Sequence, residues 1–274
     1  MEEEQRAVAQ DEKVQQKMSQ IRRKIIVMSG KGGVGKTSVA VNLSYGWALQ
    51  NKKVGILDVD IHGPNVAKML NIEKERLLGS DLGVEPVRVL PNLRAVSLAL
   101  LGYDPDNPII WRGPLKFNAI KQLLGDVNWG ALDYLVIDSP PGTGDEPLSV
   151  CQLIPDISGS VIVTTPQDMS ILDARKSVYF SKRLGIPVIG IIENMSGLIC
   201  PHCHKEIQLF KKGGGEKAAR DIGVPFLGRI PFEPELVDLA DQGIPFVYAR
   251  KDSAAGRVFA EILIKIEAFL STRH

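Results

Sequence analysis

Gly30-Lys31-Gly32-Gly33-Val34-Gly35-Lys36-Thr37 follows an apolar run at residues 25–28 and opens a segment of helical composition at 38–50. Gly30, Gly35, Lys36 and Thr37 stand at the fixed positions of a phosphate-binding loop, and strand, glycine loop, helix is the context such a loop requires. The glycines Gly30, Gly32, Gly33 and Gly35, with Val34 between them, let the backbone curl so that successive N–H groups point at phosphate oxygens. The helix that begins through Lys36, Thr37 and Ser38 adds the positive end of its dipole. Lys36 then reaches the outer phosphates and Thr37 ligates magnesium.

Such a loop needs a carboxylate on the magnesium side, at the end of a neighbouring strand. Tyr134-Leu-Val-Ile-Asp138 is an apolar strand ending in one, and Asp138 is expected to hold the metal through its water. The next stretch, Ser139-Pro-Pro-Gly-Thr-Gly-Asp145, is stiff at its prolines and mobile at its glycines, which suits a loop whose position reports a γ-phosphate. Residues 54–57 form a second apolar run leading into Asp58-Val59-Asp60. Two acids one residue apart at a strand end can place one toward magnesium and one toward the attacking water. His62 lies just beyond; it could act as a base, but a structural or solvent-facing role is the simpler reading.

Further strands are expected at 160–163, 188–192 and 226–230, and helices at 116–124, 171–184, 216–221 and 254–270. This alternation indicates an α/β fold, a mostly parallel central sheet with helices on both faces. Residues 71–112, rich in Pro, Gly and Asn, carry two possible extra strands at 87–90 and 95–100. With no repeat or linker, one domain is expected over 23–274, after a charged leader at 1–22 that is helical or disordered. In that leader Val8, Val14, Met18 and Ile21 fall on one side of a helix, able to lie on the domain or on a partner.

The 274 residues suffice for a substantial core. Lys and Arg number 33 against 32 Asp and Glu. This balance gives no general field for nucleic acid or an anionic membrane, and neither partner is expected. The leader has no apolar core of a secretory signal or membrane span, so a cytoplasmic location follows, where cysteines are rarely in structural disulfides.

Cys200 and Cys203 flank Pro201 and His202 in a loop at 198–206, with His204 next and the strand at 188–192 before it. A Cys-x-x-Cys pair can chelate a soft metal because both sulfurs can face one side of a tight turn. Two thiolates do not close a site, but a two-fold axis would supply four. Four thiolates suit a [4Fe-4S] cluster and equally a tetrahedral zinc. A redox dithiol is a third reading, though the strand-to-helix setting of thioredoxin is missing. Cys-Pro-His-Cys-His also spells a haem attachment sequence, which the lack of an export signal disfavours. His202 and His204 are possible auxiliary ligands, and Cys151 reads as a small apolar residue in a helix. Asn194 follows a strand, where open α/β sheets bind ligands, and its amide can donate to and accept from a purine.

Lys31 is unusual, because the general motif leaves that position free. With it the chain resembles the deviant phosphate-loop ATPases of the MinD, ParA and nitrogenase iron-protein superfamily, whose signature is Lys-Gly-Gly-x-Gly-Lys-Thr and whose fold is the SIMIBI-type P-loop NTPase. Further blocks narrow the match: Leu57-Asp-Val-Asp60 with Gly63-Pro64, Asp138 to Asp145, Glu193-Asn-Met195, Cys200-Pro-His-Cys203 and Gly213-Gly-Gly-Glu216. In the order they occur, across residues 24 to about 250, they resemble the Mrp (ApbC) branch of iron-sulfur cluster carriers.

The resemblance implies a homodimer in which Lys31 crosses the interface to the partner's nucleotide. It implies slow ATP hydrolysis with Mg2+, with Lys31, Lys36 and Asp60 as the catalytic set and Asp60 positioning the water. Asp138 and Asp145 belong to the second switch, and Asn194 reads the adenine edge. A [4Fe-4S] cluster would bridge two subunits through Cys200 and Cys203, arriving from a cluster donor and leaving to acceptor apoproteins. Some relatives add a four-cysteine N-terminal domain; this chain has none, so a second stably bound cluster is not expected. One alternative is a MinD- or ParA-like spatial-organisation ATPase with structural zinc at the cysteine pair. Another is an ATP-driven electron donor. The C-terminal segment, with Val258, Ile262, Leu263, Ile266 and Phe269, is amphipathic; MinD proteins use such a tail as a membrane anchor, but packing against the sheet is expected here.

Overall fold

The computed structural model describes residues 2–60, 63–80, 83–101, 113–200, 203, 205–207 and 211–273. Helix α1 (Glu2–Ser19) leads into β1 (Ile21–Ser29), the glycine loop and α2 (Lys36–Leu49). Next come β2 (Val54–Asp58), the short α3 (Val66–Met69), a small hairpin β3 (Leu78–Ser80) and β4 (Gly83–Glu85), then β5 (Val87–Leu90) and β6 (Leu93–Ser97). The chain continues through α4 (Gly113–Asp126), β7 (Leu132–Asp138), α5 (Asp145–Leu153), β8 (Gly159–Thr164), α6 (Asp168–Arg183) and β9 (Val188–Glu193). A second small hairpin, β10 (Leu198–Ile199) and β11 (Glu206–Ile207), precedes α7 (Gly214–Ile222) and β12 (Phe226–Arg229). Three helices end the chain: α8 (Pro234–Asp241), α9 (Phe246–Ala249) and α10 (Ala254–Ser271).

Eight strands form one sheet in the order β12-β9-β8-β1-β7-β2-β6-β5. Every neighbouring pair is parallel except β5 with β6, which makes an antiparallel edge. Parallel strands covered on both faces read as continuous apolar runs, and β1 shows why. Ile25 and Val27 enter the core beneath α2, α9 and α10, while Ile26 and Met28 enter the core beneath α1, α4, α5 and α6. The period of two in a strand sends alternate residues to the two layers.

The register lines up the carboxyl ends of the central strands. Asp58 lies beside both Asp138 and Ser97, and Val27 beside Asp138. On the other side Thr164 lies beside Glu193, which lies beside Arg229. Polar side chains therefore collect along one rim of an otherwise apolar sheet, where ligands of open α/β sheets bind.

The boundary expected between residues 22 and 23 falls inside β1. The preceding segment is helical, and Val14, Met18 and Ile21 are buried with Ile120, Leu123 and Leu124 of α4, while Val8 is exposed. The extra strand expected at 95–100 is instead β6, which gives way to a 3-10 turn at Leu98–Leu101. The C-terminal helix packs on the sheet through Phe259, Ile262, Leu263 and Ile266, all buried. Among the described residues no helix is long and apolar enough to cross a membrane.

Candidate nucleotide site and cysteine loop

The glycine loop joins the carboxyl end of β1 to α2 at the middle of the sheet, where connections leave to both sides. Gly35 sits just before α2 at φ +83°, and a Cβ there would stand 2.2 Å from Asn194 Nδ2. A side chain at this position would therefore meet both backbone strain and a clash. Asn194, buried just past β9, donates from Nδ2 to the Val34 carbonyl at 2.9 Å. Its amide thus tethers the loop, a role the sequence reading did not foresee. Val34 is buried, Gly32 and Gly33 are exposed, and Gly30 and Lys31 are half-buried. The Lys31 carbonyl accepts from Ser29 Oγ at 2.9 Å.

The acids are divided by role. Lys36 is buried and donates from Nζ to Asp138 Oδ1 at 2.7 Å, with Asp60 Oδ2 at 3.7 Å. Thr37 Oγ1 donates to the other Asp138 oxygen at 2.7 Å. Asp138 thus joins the two loop residues expected to meet phosphate and magnesium. Asp58, weighed above as facing magnesium or water, is instead turned inward and fully buried. Its oxygens accept from Asp60 N at 3.1 Å, Val66 N at 3.2 Å and Ser97 Oγ at 2.9 Å, so it fixes the start of the loop after β2 and the start of α3. Burial and then the Asp138 charge push the Asp58 carboxyl up to about 8, against those hydrogen bonds. Burial also raises Asp138, opposed by Lys36 and Thr37. Asp145 begins α5 and is exposed.

An open cleft of about 360 Å3 lies over this constellation, within the size range of small-molecule sites. The loop residues Gly32, Gly33, Gly35, Lys36, Thr37 and Ser38 line one wall. Asp60, Pro141, Lys68 and Met69 line others, with Asp241 at the end of α8. Neither α3 nor α8 was expected from sequence: α3 is too short for a periodic signal, and α8 has no buried residue to mark a face. The Thr37 hydroxyl and the Asp138 carboxylate are hard oxygen donors side by side, so these residues fit magnesium.

Met195 turns the chain out of β9 at φ +55°. Leu198 then pairs with Ile207 and Ile199 with Glu206, and Cys200 N donates to the Lys205 carbonyl at 2.9 Å. The expected loop is thus a small hairpin with the cysteine pair at its tip, Cys200 half-buried and Cys203 exposed. Among the described residues no three His, Cys, Asp or Glu side chains gather into a metal site. His62, His202 and His204 lie outside the described residues. Cys151, in α5, packs half-buried against the core, as expected.

A family model described as ParA, NUBPL iron-transfer P-loop NTPase, matches residues 20–267. The iron-sulfur cluster carrier protein of Methanocaldococcus jannaschii is 50% identical over 257 residues, 94% of this chain and 88% of that protein. The protein of the same description from Saccharolobus solfataricus is 46% identical over 262 residues, 96% of this chain and 88% of its own length. Among solved structures, the nucleotide-binding protein of Archaeoglobus fulgidus in complex with ADP has a TM-score of 0.75 at 38% identity, covering 85% of this chain and 91% of its own. The cell division ATPase MinD of Pyrococcus furiosus has a TM-score of 0.66 at 23% identity, covering 90% and 99%, a likeness of fold.

Proposed function

This chain belongs to the NUBPL iron-transfer P-loop NTPase family, and from that premise we propose that it is an ATP-hydrolysing carrier of iron-sulfur clusters. Two subunits hold a [4Fe-4S] cargo between their Cys200 and Cys203 thiolates, receive it from a donor and pass it to acceptor apoproteins. The work takes place in the cytoplasm. The observation that carries this reading is the placement of the cysteine hairpin at the end of β9, next to the residue that tethers the phosphate loop.

In the nucleotide site, the outer phosphates take over the Lys36 ammonium that Asp138 holds at 2.7 Å. Asp138 and Thr37 would then be free to hold magnesium, which would supply charge neutralisation at the outer phosphates. Asp60, already within 3.7 Å of Lys36 Nζ, orients the attacking water. Lys31 extends across the dimer to the partner's nucleotide. The part of the Asn194 amide not spent on Val34 reads the adenine edge. The loop from Ser139 to Asp145 hangs on β1, with Gly142 N donating to the Ser29 carbonyl at 2.8 Å, and so senses the γ-phosphate beside it.

Anaerobic reconstitution tests the cargo. Wild-type protein is expected to take up iron and acid-labile sulfide in equal amounts, and the Cys200→Ser, Cys203→Ser double variant to take up neither. Equal loading of both proteins, or zinc in place of iron in the anaerobically purified wild type, would overturn the reading.

A further inference from the structure

Glu193, the last residue of β9, is fully buried and carries four polar contacts. Its Oε1 accepts from Ser196 Oγ at 2.5 Å and from Gly213 N at 2.9 Å. Its Oε2 accepts from Gly215 N at 2.5 Å. Arg229 Nε stands 3.4 Å from Oε1 and supplies the opposite charge. Burying a carboxylate is costly unless hydrogen bonds and a countercharge answer it, and here both do.

The partners lie at two ends of one segment. Ser196 precedes the cysteine hairpin, and Gly213 and Gly215 follow it at the start of α7. One side chain therefore ties down both feet of the segment that carries Cys200 and Cys203. Glycine at 215 lets the backbone approach closely, because a Cβ there would stand 3.1 Å from the Glu193 carboxylate and push it aside by a few tenths of an ångström. The next residue along the strand, Asn194, holds the phosphate loop through Val34 and fills the space above Gly35. Between Asn194 and the first foot, Met195 keeps a left-handed φ of +55°, uncommon for a residue with a side chain. Backbone bonds strap this corner to its neighbours, from Asn194 N to the Thr164 carbonyl at 2.7 Å and from Ser196 N to the Ile230 carbonyl at 3.0 Å.

We propose that Glu193 is a positioning residue that couples the phosphate loop to the cysteine pair. Movement of the loop on nucleotide binding displaces Asn194, and Glu193 transmits the displacement to both feet of the hairpin, resetting the exposure and spacing of Cys200 and Cys203. The proposal deepens the carrier function and rests on that reading for its purpose, but its physical content is a nucleotide-dependent change in two thiols.

The measurement uses full-length, reduced, cluster-free protein. N-ethylmaleimide alkylation of Cys200 and Cys203 is followed by peptide mass spectrometry without nucleotide, with Mg-ADP and with the non-hydrolysable analogue Mg-AMPPNP. In the wild type AMPPNP is expected to change the rate at the pair at least fivefold, with Cys151 unchanged as the internal reference. Glu193→Gln has one acceptor oxygen where two backbone N–H groups need one each, and no charge for Arg229. In it the ratio is expected to fall within twofold of unity, while fluorescent-nucleotide affinity stays within threefold of wild type. A wild type without a nucleotide effect, or a Glu193→Gln that keeps the full ratio, overturns the proposal. If Glu193→Gln does not fold, Ser196→Ala, which releases one foot only, carries the test: loss of half the ratio or more supports the coupling and an unchanged ratio overturns it. Cluster loading is assayed separately, so a chain that binds no cluster but keeps the ratio refutes the cargo and leaves the coupling standing.

Discussion

Lys36 is balanced between two carboxylates in a buried site, and phosphates must compete with Asp138 for it. Lys36→Ala removes the charge-assisted contact and leaves both acids facing the phosphates, so nucleotide affinity measured by fluorescence titration should fall roughly 10- to 100-fold. Lys31→Ala is expected to separate from it. Binding stays within a few-fold, while turnover drops about 1,000-fold or more, the scale of a cation supplied in trans to a phosphoryl transfer. A Lys31→Ala variant that hydrolyses ATP at the wild-type rate excludes the cross-dimer role. The thiols offer a third contrast at this scale. Burial pushes the Cys151 thiol up to about 12, whereas Cys203 is exposed. The thiolate is the reactive form, so iodoacetamide at pH 8 should label Cys203 well before Cys151.

The helices and strands make their own claims. Because Val14 and Met18 of α1 are buried with α4, the leader is part of the packed layer, and Met18→Ala should cost about 2–5 kcal/mol in urea unfolding. An unchanged midpoint would mean that α1 does not pack there in solution. On the opposite layer, the Tyr134 ring of β7 stacks on Trp47 of α2 with centroids 4.4 Å apart, and its hydroxyl donates to Glu267 of α10 at 3.2 Å. Burial, followed by Glu267, pushes the phenol up to about 12, whereas an unfolded tyrosine releases its proton near ~10. The folded chain thus holds a proton that the unfolded chain loses. This contribution is intact below about pH 10 and is lost as the pH rises from about 10 to 12. Tyr134→Phe should flatten the decline in denaturation midpoint over that window, and an identical decline in both proteins would contradict it.

For the molecule as a whole, the proposed carrier is symmetric, and nucleotide should govern that symmetry. Light scattering is expected to show the dimer favoured by Mg-AMPPNP in the wild type and less so in Lys31→Ala. Absence of any nucleotide effect on mass in the wild type would count against the bridged assembly. Near-neutral net charge gives such a dimer no general attraction to nucleic acid, so no salt-sensitive DNA binding is expected.

Chemistry confined to a few neighbouring residues could be read from their order. The glycine loop, the apolar strands, Asp138 and the cysteine pair each announce themselves through local spacing, and the apolar runs required a parallel sheet buried on both faces. Their relations could not be read that way. Asp58 and Asp60 look alike in sequence, yet strand register turns Asp58 toward Ser97 and Val66 and leaves Asp60 beside Lys36. Val14 and Met18 could have served a partner as well as this domain, until α4 was seen to cover them. Glu193 carries no motif chemistry of its own. Its role arises because β8, β9, β12 and the start of α7 converge on one buried carboxylate, a meeting of residues far apart along the chain that only folding brings about.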